Sequence, residues 1–196
     1  MLNHHRGLWG YTGRCRADGE PLSIQSTGMG GPSAAIVIEE LVELGARRLI
    51  RVGTCGALAP DLGLGALVIA SEAVALDGCS RALGADGRVA SDPALTQGLC
   101  AAAGPRARAG TVASVDLFYG ALPSCPAALA VEMECSTLFT LAALRGVRAA
   151  AILAVSDTFT PAGARQHITD AALVIASELL GDVAVSALGP APASVR

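Results

Sequence analysis

The chain of 196 residues contains no lysine; all 14 of its basic residues are arginine. Read as codon bias, that absence excludes a lysine Schiff base and a lysine-bearing phosphate loop. Aromatic residues make up only 3% and charged residues 16%, against 52% hydrophobic residues, so a disordered chain is excluded. The net charge of −3 is spread without blocks and leaves no footprint for nucleic acid. The six cysteines, Cys15, Cys55, Cys79, Cys100, Cys125 and Cys135, form no C-x-x-C pair. They point to reduced thiols in a cytoplasmic protein, acting as small buried hydrophobes rather than as a disulfide framework. His4, His5 and His167 show no metal-ligand spacing, so no metal is expected. No signal peptide is read at the start. No apolar run of about 18 residues is free of charge and turn signals, so no membrane helix is expected.

What is present fits one domain with a substantial core. It is expected over residues 1–188, with a frayed Pro/Ala/Ser-rich tail over 189–196. Residues 7–18 read as a strand pair or turn and 21–26 as a short strand. A helix is predicted over 32–44, where Pro32 suits the first position and Gly45 the stop. Strands are predicted over 48–52, 66–75, 107–114, 130–133 and 149–155, and helices over 93–103, 136–145 and 168–180. Residues 77–92 read as turn-rich, and 123–126 and 157–163 as loops. Strands alternating with helices, without clean period-2 patterning, favour an α/β sheet covered on both faces.

Several segments carry chemistry. Ser26-Thr27-Gly28-Met29-Gly30-Gly31-Pro32-Ser33 is a glycine-rich turn entering a helix. It is either a tight turn or a helix N-terminus aimed at an anion or a sugar. Arg51-Val52-Gly53-Thr54-Cys55-Gly56 ends a buried strand with an arginine that must be paired or functional. Arg51 either grips phosphate with its fork, helped by the Thr54 hydroxyl, or caps a neighbouring carboxylate. Strand ends followed by Gly are where open α/β sheets place ligands. Glu132 and Glu134, two residues apart in an apolar setting, would share one face of a strand. They either accept from a sugar diol or form a structural salt bridge. Ser156-Asp157 ends another buried strand, with Asp157 a general acid or part of a local cap. Phe118 and Tyr119 bring two of the few aromatics together, for base stacking or for the core.

Together with His5-Arg6-Gly7-Leu8-Trp9-Gly10-Tyr11-Thr12-Gly13, these segments resemble, in order, the nucleoside phosphorylase-I family of purine nucleoside phosphorylases and uridine phosphorylases. The resemblance is greatest to the hexameric bacterial purine enzymes. It implies a three-layer α/β/α fold with a central mixed, twisted sheet. It also implies phosphorolysis of purine nucleosides with inorganic phosphate as co-substrate and no cofactor, because Asp157 suits a purine leaving group. The implied phosphate ligands are Arg51, Thr54 and Arg6, the last reaching a neighbouring subunit in a dimer-to-hexamer homo-oligomer with a shared site. Met29, Met133 and Glu134 would contact ribose. Phe118, Glu132, Ser156, Cys55 and Gly56 would surround the base, and Asp157, assisted by Arg165, would be the acid. A nucleosidase using water, a uridine phosphorylase and an inactive nucleoside-binding homologue are the alternatives. Family members normally open with a further strand and a Gly-Asp-Pro-x-x-Arg loop that adds phosphate contacts. This chain starts after that point, so the sheet is expected to lack that strand and the site those contacts. The loops at 120–129 and before Arg165 read as shorter than usual.

Overall fold

The computed structural model describes residues 2–3, 5–16, 18–160 and 164–188. The tail over 189–196 lies outside the described residues, as do His4 and part of the expected loop after Asp157. A small antiparallel sheet comes first, with order β1 (Leu2–Asn3), β2 (Gly10–Arg14), β3 (Pro21–Gln25). Helix α1 (Gly31–Glu43) then leads into a seven-stranded mixed sheet. Its strands are β4 (Arg48–Ala57), β5 (Leu67–Ala75), β6 (Arg88–Ala90), β7 (Ala107–Ser114), β8 (Ala128–Glu132), β9 (Arg148–Phe159) and β10 (Arg165–His167). The remaining helices are α2 (Gly78–Ala82), α3 (Pro93–Ala103), α4 (Cys135–Arg145) and α5 (Asp170–Leu188). The sheet order is β10-β9-β4-β8-β7-β5-β6, and β5 also pairs antiparallel with β9. The sheet therefore partly closes on itself and is not the open sheet assumed for the strand-end argument.

Both faces of the sheet are covered. Along β5, Val68 and Ala70 face one core with Ala34, Ile38, Leu138 and Phe139 of α1 and α4. Their neighbours Leu67 and Ile69 face the other, with Leu95 and Leu99 of α3 and Leu180 and Val183 of α5. Strand β9 splits its residues in the same way, Leu153 and Val155 to one side and Ile152 and Ala154 to the other. Period-2 geometry is intact, but it is invisible in the sequence because both faces are apolar.

The structure differs from the sequence reading at several elements, mostly through strand pairing. β9 runs through Asp157 to Phe159, where a loop is predicted, because Arg165–His167 returns to pair with Phe159–Asp157. β4 continues through Gly53 and Gly56 to Ala57, held along its length by parallel β9. The 77–92 stretch holds α2 and β6. α5 extends past residue 180 because Val183 and Ala184 continue its buried stripe. With mean hydropathy 1.8 over an 18-residue window, the 19-residue α5 is long and apolar enough to cross a membrane by length and composition, which the sequence reading does not anticipate. It carries Glu178 and Asp182, and one side packs against α3 and the sheet.

Behind the glycine-rich turn lies a buried acid that sequence reasoning left among turn residues. Asp77 caps α2, accepting from the Ser80 amide at 2.7 Å and the Ser80 hydroxyl at 2.5 Å. It also accepts from the Ser136 hydroxyl and, at 3.3 Å, from Thr137, so one carboxylate ties α2 to α4. Burial pushes its pKa up, but the Ser136 and Ser80 hydrogen bonds outweigh burial and hold it below the usual carboxylate value. A depressed folded-state pKa gives stability that is present above the unfolded value, about 3.9, and lost as pH falls through the folded one. Asp77→Asn is therefore expected to cost about 1–3 kcal/mol at neutral pH. In urea unfolding, the gap to wild type should narrow as pH drops below about 4.

Candidate active site

An ion cluster joins Arg51 in the middle of β4 to the end of β8. Arg51 and Gly53 lie on the same face of β4, and the Arg51 guanidinium folds back over Gly53. A Cβ at residue 53 would stand 1.7 Å from Arg51 Nη1, so only glycine leaves room for this conformation. The guanidinium reaches Glu132, with Nε to Oε2 at 3.5 Å, and pairs with Glu134 through Nη2. Glu132 is the last residue of β8, and its side chain is fully buried. It accepts from the amides of Glu134 and Cys135, each at 2.8 Å, and from the Ser114 hydroxyl. It thus caps the start of α4 while holding Arg51 from below. Burial works against the Arg51 charge, but Glu132, Cys135 and Glu134 more than offset it and raise its pKa, so it stays protonated. Of the two readings of Arg51, the structure shows the pairing with carboxylates, and these partners are the acids singled out for the sugar.

The glycine-rich turn closes onto the same cluster. The Gly30 amide donates to Glu134 Oε1 at 2.6 Å. Gly30 has φ 82°, a left-handed conformation that costs glycine little and turns this amide toward α4. Met133 lies below the turn and Met29 stands exposed above it, 87% accessible.

On the adjacent strand, Asp157 of β9 is in register with Gly56 of β4. Its Oδ2 accepts from the Ser156 hydroxyl at 2.6 Å. Its side chain is 9% exposed, and among the described residues Oδ1 has no aligned hydrogen-bond donor. Two basic side chains from β10 approach Oδ1: Arg165 Nε at 3.8 Å and His167 Nδ1 at 2.6 Å, the latter out of hydrogen-bond line. Arg165 is held elsewhere as well. It donates to the Phe118 carbonyl at 3.2 Å, and its guanidinium lies 4.3 Å from the Phe118 ring centroid and 5.5 Å from that of Phe159. Phe118 is half exposed, edge-on to the exposed Tyr119, so the β7 loop presents aromatic surface at this end of the sheet.

The other expected site residues are placed as follows. Thr54 is exposed on β4, one strand position from the buried Cys55. The Cys55 thiol donates to the Ala154 carbonyl, and burial first, then Glu132, pushes its pKa up to about 12, so it remains a thiol. A Cβ at Gly56 would meet Val131 and Phe159, which marks how closely the sheet floor is packed there. Arg6 is not brought to Arg51 of its own chain. It pairs with Glu40 of α1 at 3.0 Å and has the left-handed φ of 56° that a non-glycine residue seldom adopts. Among the described residues, no group of three or more His, Cys, Asp or Glu is arranged to hold a metal ion. Gly53 and His167 are the residues missed in the sequence. The alternation of Arg165 and His167 would have put both on one strand face, but that segment is too short to read as a strand.

The arrangement couples an arginine–carboxylate cluster, a glycine turn and a buried acid. The family model described as the phosphorylase superfamily matches residues 2–188. A uridine phosphorylase of Thermococcus kodakarensis is 37% identical over 202 aligned residues, covering 89% of this chain and 70% of the relative. A DeoD-type purine nucleoside phosphorylase of Geobacillus kaustophilus is 37% identical over 172 residues, covering 79% of this chain and 70% of the relative. The DeoD-type enzyme of Clostridium novyi is 39% identical over 168 residues, covering 80% and 71%. With its mixed, partly closed sheet between two helical layers, its Arg51–Glu134–Gly30 cluster and a family match spanning nearly every described residue, the chain belongs to the phosphorylase superfamily and is one of its enzymes.

Proposed function

We propose that this enzyme is a pentosyltransferase that cleaves purine nucleosides with phosphate, releasing the base and (deoxy)ribose 1-phosphate for nucleoside salvage in the cytoplasm. One observation carries the reading: Arg51 and Glu134 meet at the Gly30 amide, with Asp157 in register beside Gly56 on the next strand. Arg51 and Thr54 bind phosphate, and Met29, Met133 and Glu134 bind the ribose. Phe118, Ser156, Cys55, Gly56 and Glu132 border the base. Arg51 and Glu134 hold each other until substrates supply better-matched partners, a phosphate for the guanidinium and the ribose diol for the carboxylate. As the glycosidic bond breaks, positive charge grows on the sugar and negative charge on the base. Phosphate stabilises the first and Asp157, with Arg165 beside it, the second.

Charge counting supports a shared site. The cluster has one guanidinium against two carboxylates, so it is net negative and a poor host for a phosphate dianion by itself. A further cation is needed, and Arg6 from a second copy of the chain in a homo-oligomer supplies it. Asp157 favours purines because N7 is a proton acceptor that pyrimidines lack. A uridine-specific reading has support in the Thermococcus kodakarensis relative, whose alignment covers 89% of the chain. A phosphate-dependent screen of inosine, guanosine, adenosine and uridine decides between them. Purine nucleosides are expected to release base only when phosphate is present. Turnover of uridine alone would overturn the purine assignment, and equal release without phosphate would overturn phosphorolysis.

A further inference from the structure

His167 has no assigned role, yet it is the residue closest to the unpaired oxygen of Asp157. The two residues are cross-strand partners in the β9–β10 pair. Nδ1 stands 2.6 Å from Oδ1, and the imidazole is 64% exposed while the carboxylate is 9% exposed. Oδ1 is a buried acceptor without an aligned donor among the described residues, so a modest rotation of the ring brings its N–H into line. Arg165 is the other basic side chain in reach, but it is farther away and engaged with Phe118 and Phe159, and a guanidinium does not give up a proton near neutrality. Imidazole does exchange protons in that range.

From this geometry we propose that His167 is a positioning residue that loads Asp157 with the proton required by the departing base. The inference rests on the phosphorolysis reading above. In the step, the C1′–N9 bond breaks and its electron pair goes to the base. Asp157 passes its proton to N7, and the His167 imidazolium passes its Nδ1 proton to Oδ1 of Asp157. The neutral imidazole then turns outward and takes a proton from water or buffer. Among the described residues, the titratable and charged groups facing this pair are Arg165 on β10 and Cys55 on β4, which stays a thiol. Ser156 on β9 donates to the other carboxylate oxygen. His167 is thus the exposed group in the cluster that connects Asp157 to solvent.

The test uses His167→Gln in the full-length enzyme, a substitution at an exposed position. Phosphorolysis is followed for inosine and for an N7-methylated purine nucleoside, whose base leaves neutral without a proton. For inosine, kcat is expected to fall on the order of 10²-fold, with the alkaline limb of the pH profile moving to lower pH. For the N7-methylated substrate, kcat is expected to stay within about twofold. Adding His167→Gln to Asp157→Asn should cost nothing further. An equal loss on both substrates, or an unshifted profile, overturns the relay while leaving the phosphorolysis reading intact. Failure of the wild type to cleave either substrate with phosphate overturns the relay together with the function it serves.

Discussion

Asp157→Asn is expected to lower kcat for inosine or guanosine by about 10²- to 10⁴-fold while leaving the fold intact. The asparagine keeps the shape and still accepts from the Ser156 hydroxyl, but it cannot hand a proton to N7. Little hydrogen-bond energy is lost with the charge, because the carboxylate's second oxygen has no aligned donor among the described residues and its neighbours there are partly exposed. Thermal or urea midpoints should therefore move by no more than about 1 kcal/mol equivalent. KM for phosphate should also change little, since Arg51 and Thr54 are untouched; a loss confined to kcat marks an interaction made in the transition state. Steady-state kinetics on inosine, on an N7-methylated nucleoside and on uridine gives three separate readouts. Loss on inosine with retention on the methylated substrate identifies the acid. Retained inosine turnover would mean that the base leaves without Asp157.

Arg51→Leu is expected to have the opposite signature, a loss of stability together with a loss of all activity. The guanidinium sits between Glu132, fully buried, and Glu134, nearly so. Removing it strands two carboxylates, which typically costs about 3–5 kcal/mol for a buried pair. Urea unfolding at fixed protein concentration measures this directly. Replacing Glu132 and Glu134 by Gln in the same chain should restore much of the stability but none of the turnover, because the cost lies in the unpaired acids. Arg51→Lys should be intermediate, since an ammonium keeps the charge but cannot bridge two carboxylates with a planar fork. If Arg51→Leu were as stable as the wild type, the cluster would not be what holds the strand ends together.

The broad layout was legible because turn chemistry and apolar runs act locally. Pro93 opens its helix as expected and Asp92 caps it, while Pro32 stands second in α1, behind Gly31. What escaped depends on distant pairing. Asp157 and Thr158 are polar, so residues 157–159 read as a loop, but they become strand because Arg165–His167 folds back onto them. Partial closure of the sheet rests on β5 meeting β9, strands far apart in sequence whose uniformly apolar faces record no partner. Among the site residues, Arg51 and the two glutamates stood out because charges in apolar strands require an explanation. That they explain one another appears only in three dimensions. Gly53 and His167 gave no such signal, the first because its role is to leave space for Arg51, the second because its partner lies across a hairpin.

The most direct test of the central proposal is the identity of the sugar product. Incubating the enzyme with inosine and inorganic phosphate, and following the reaction by ³¹P NMR, is expected to show ribose 1-phosphate formed in step with hypoxanthine. Hypoxanthine accompanied by free ribose, with the phosphate signal unchanged, would contradict the assignment of Arg51 and Thr54 to a phosphate nucleophile.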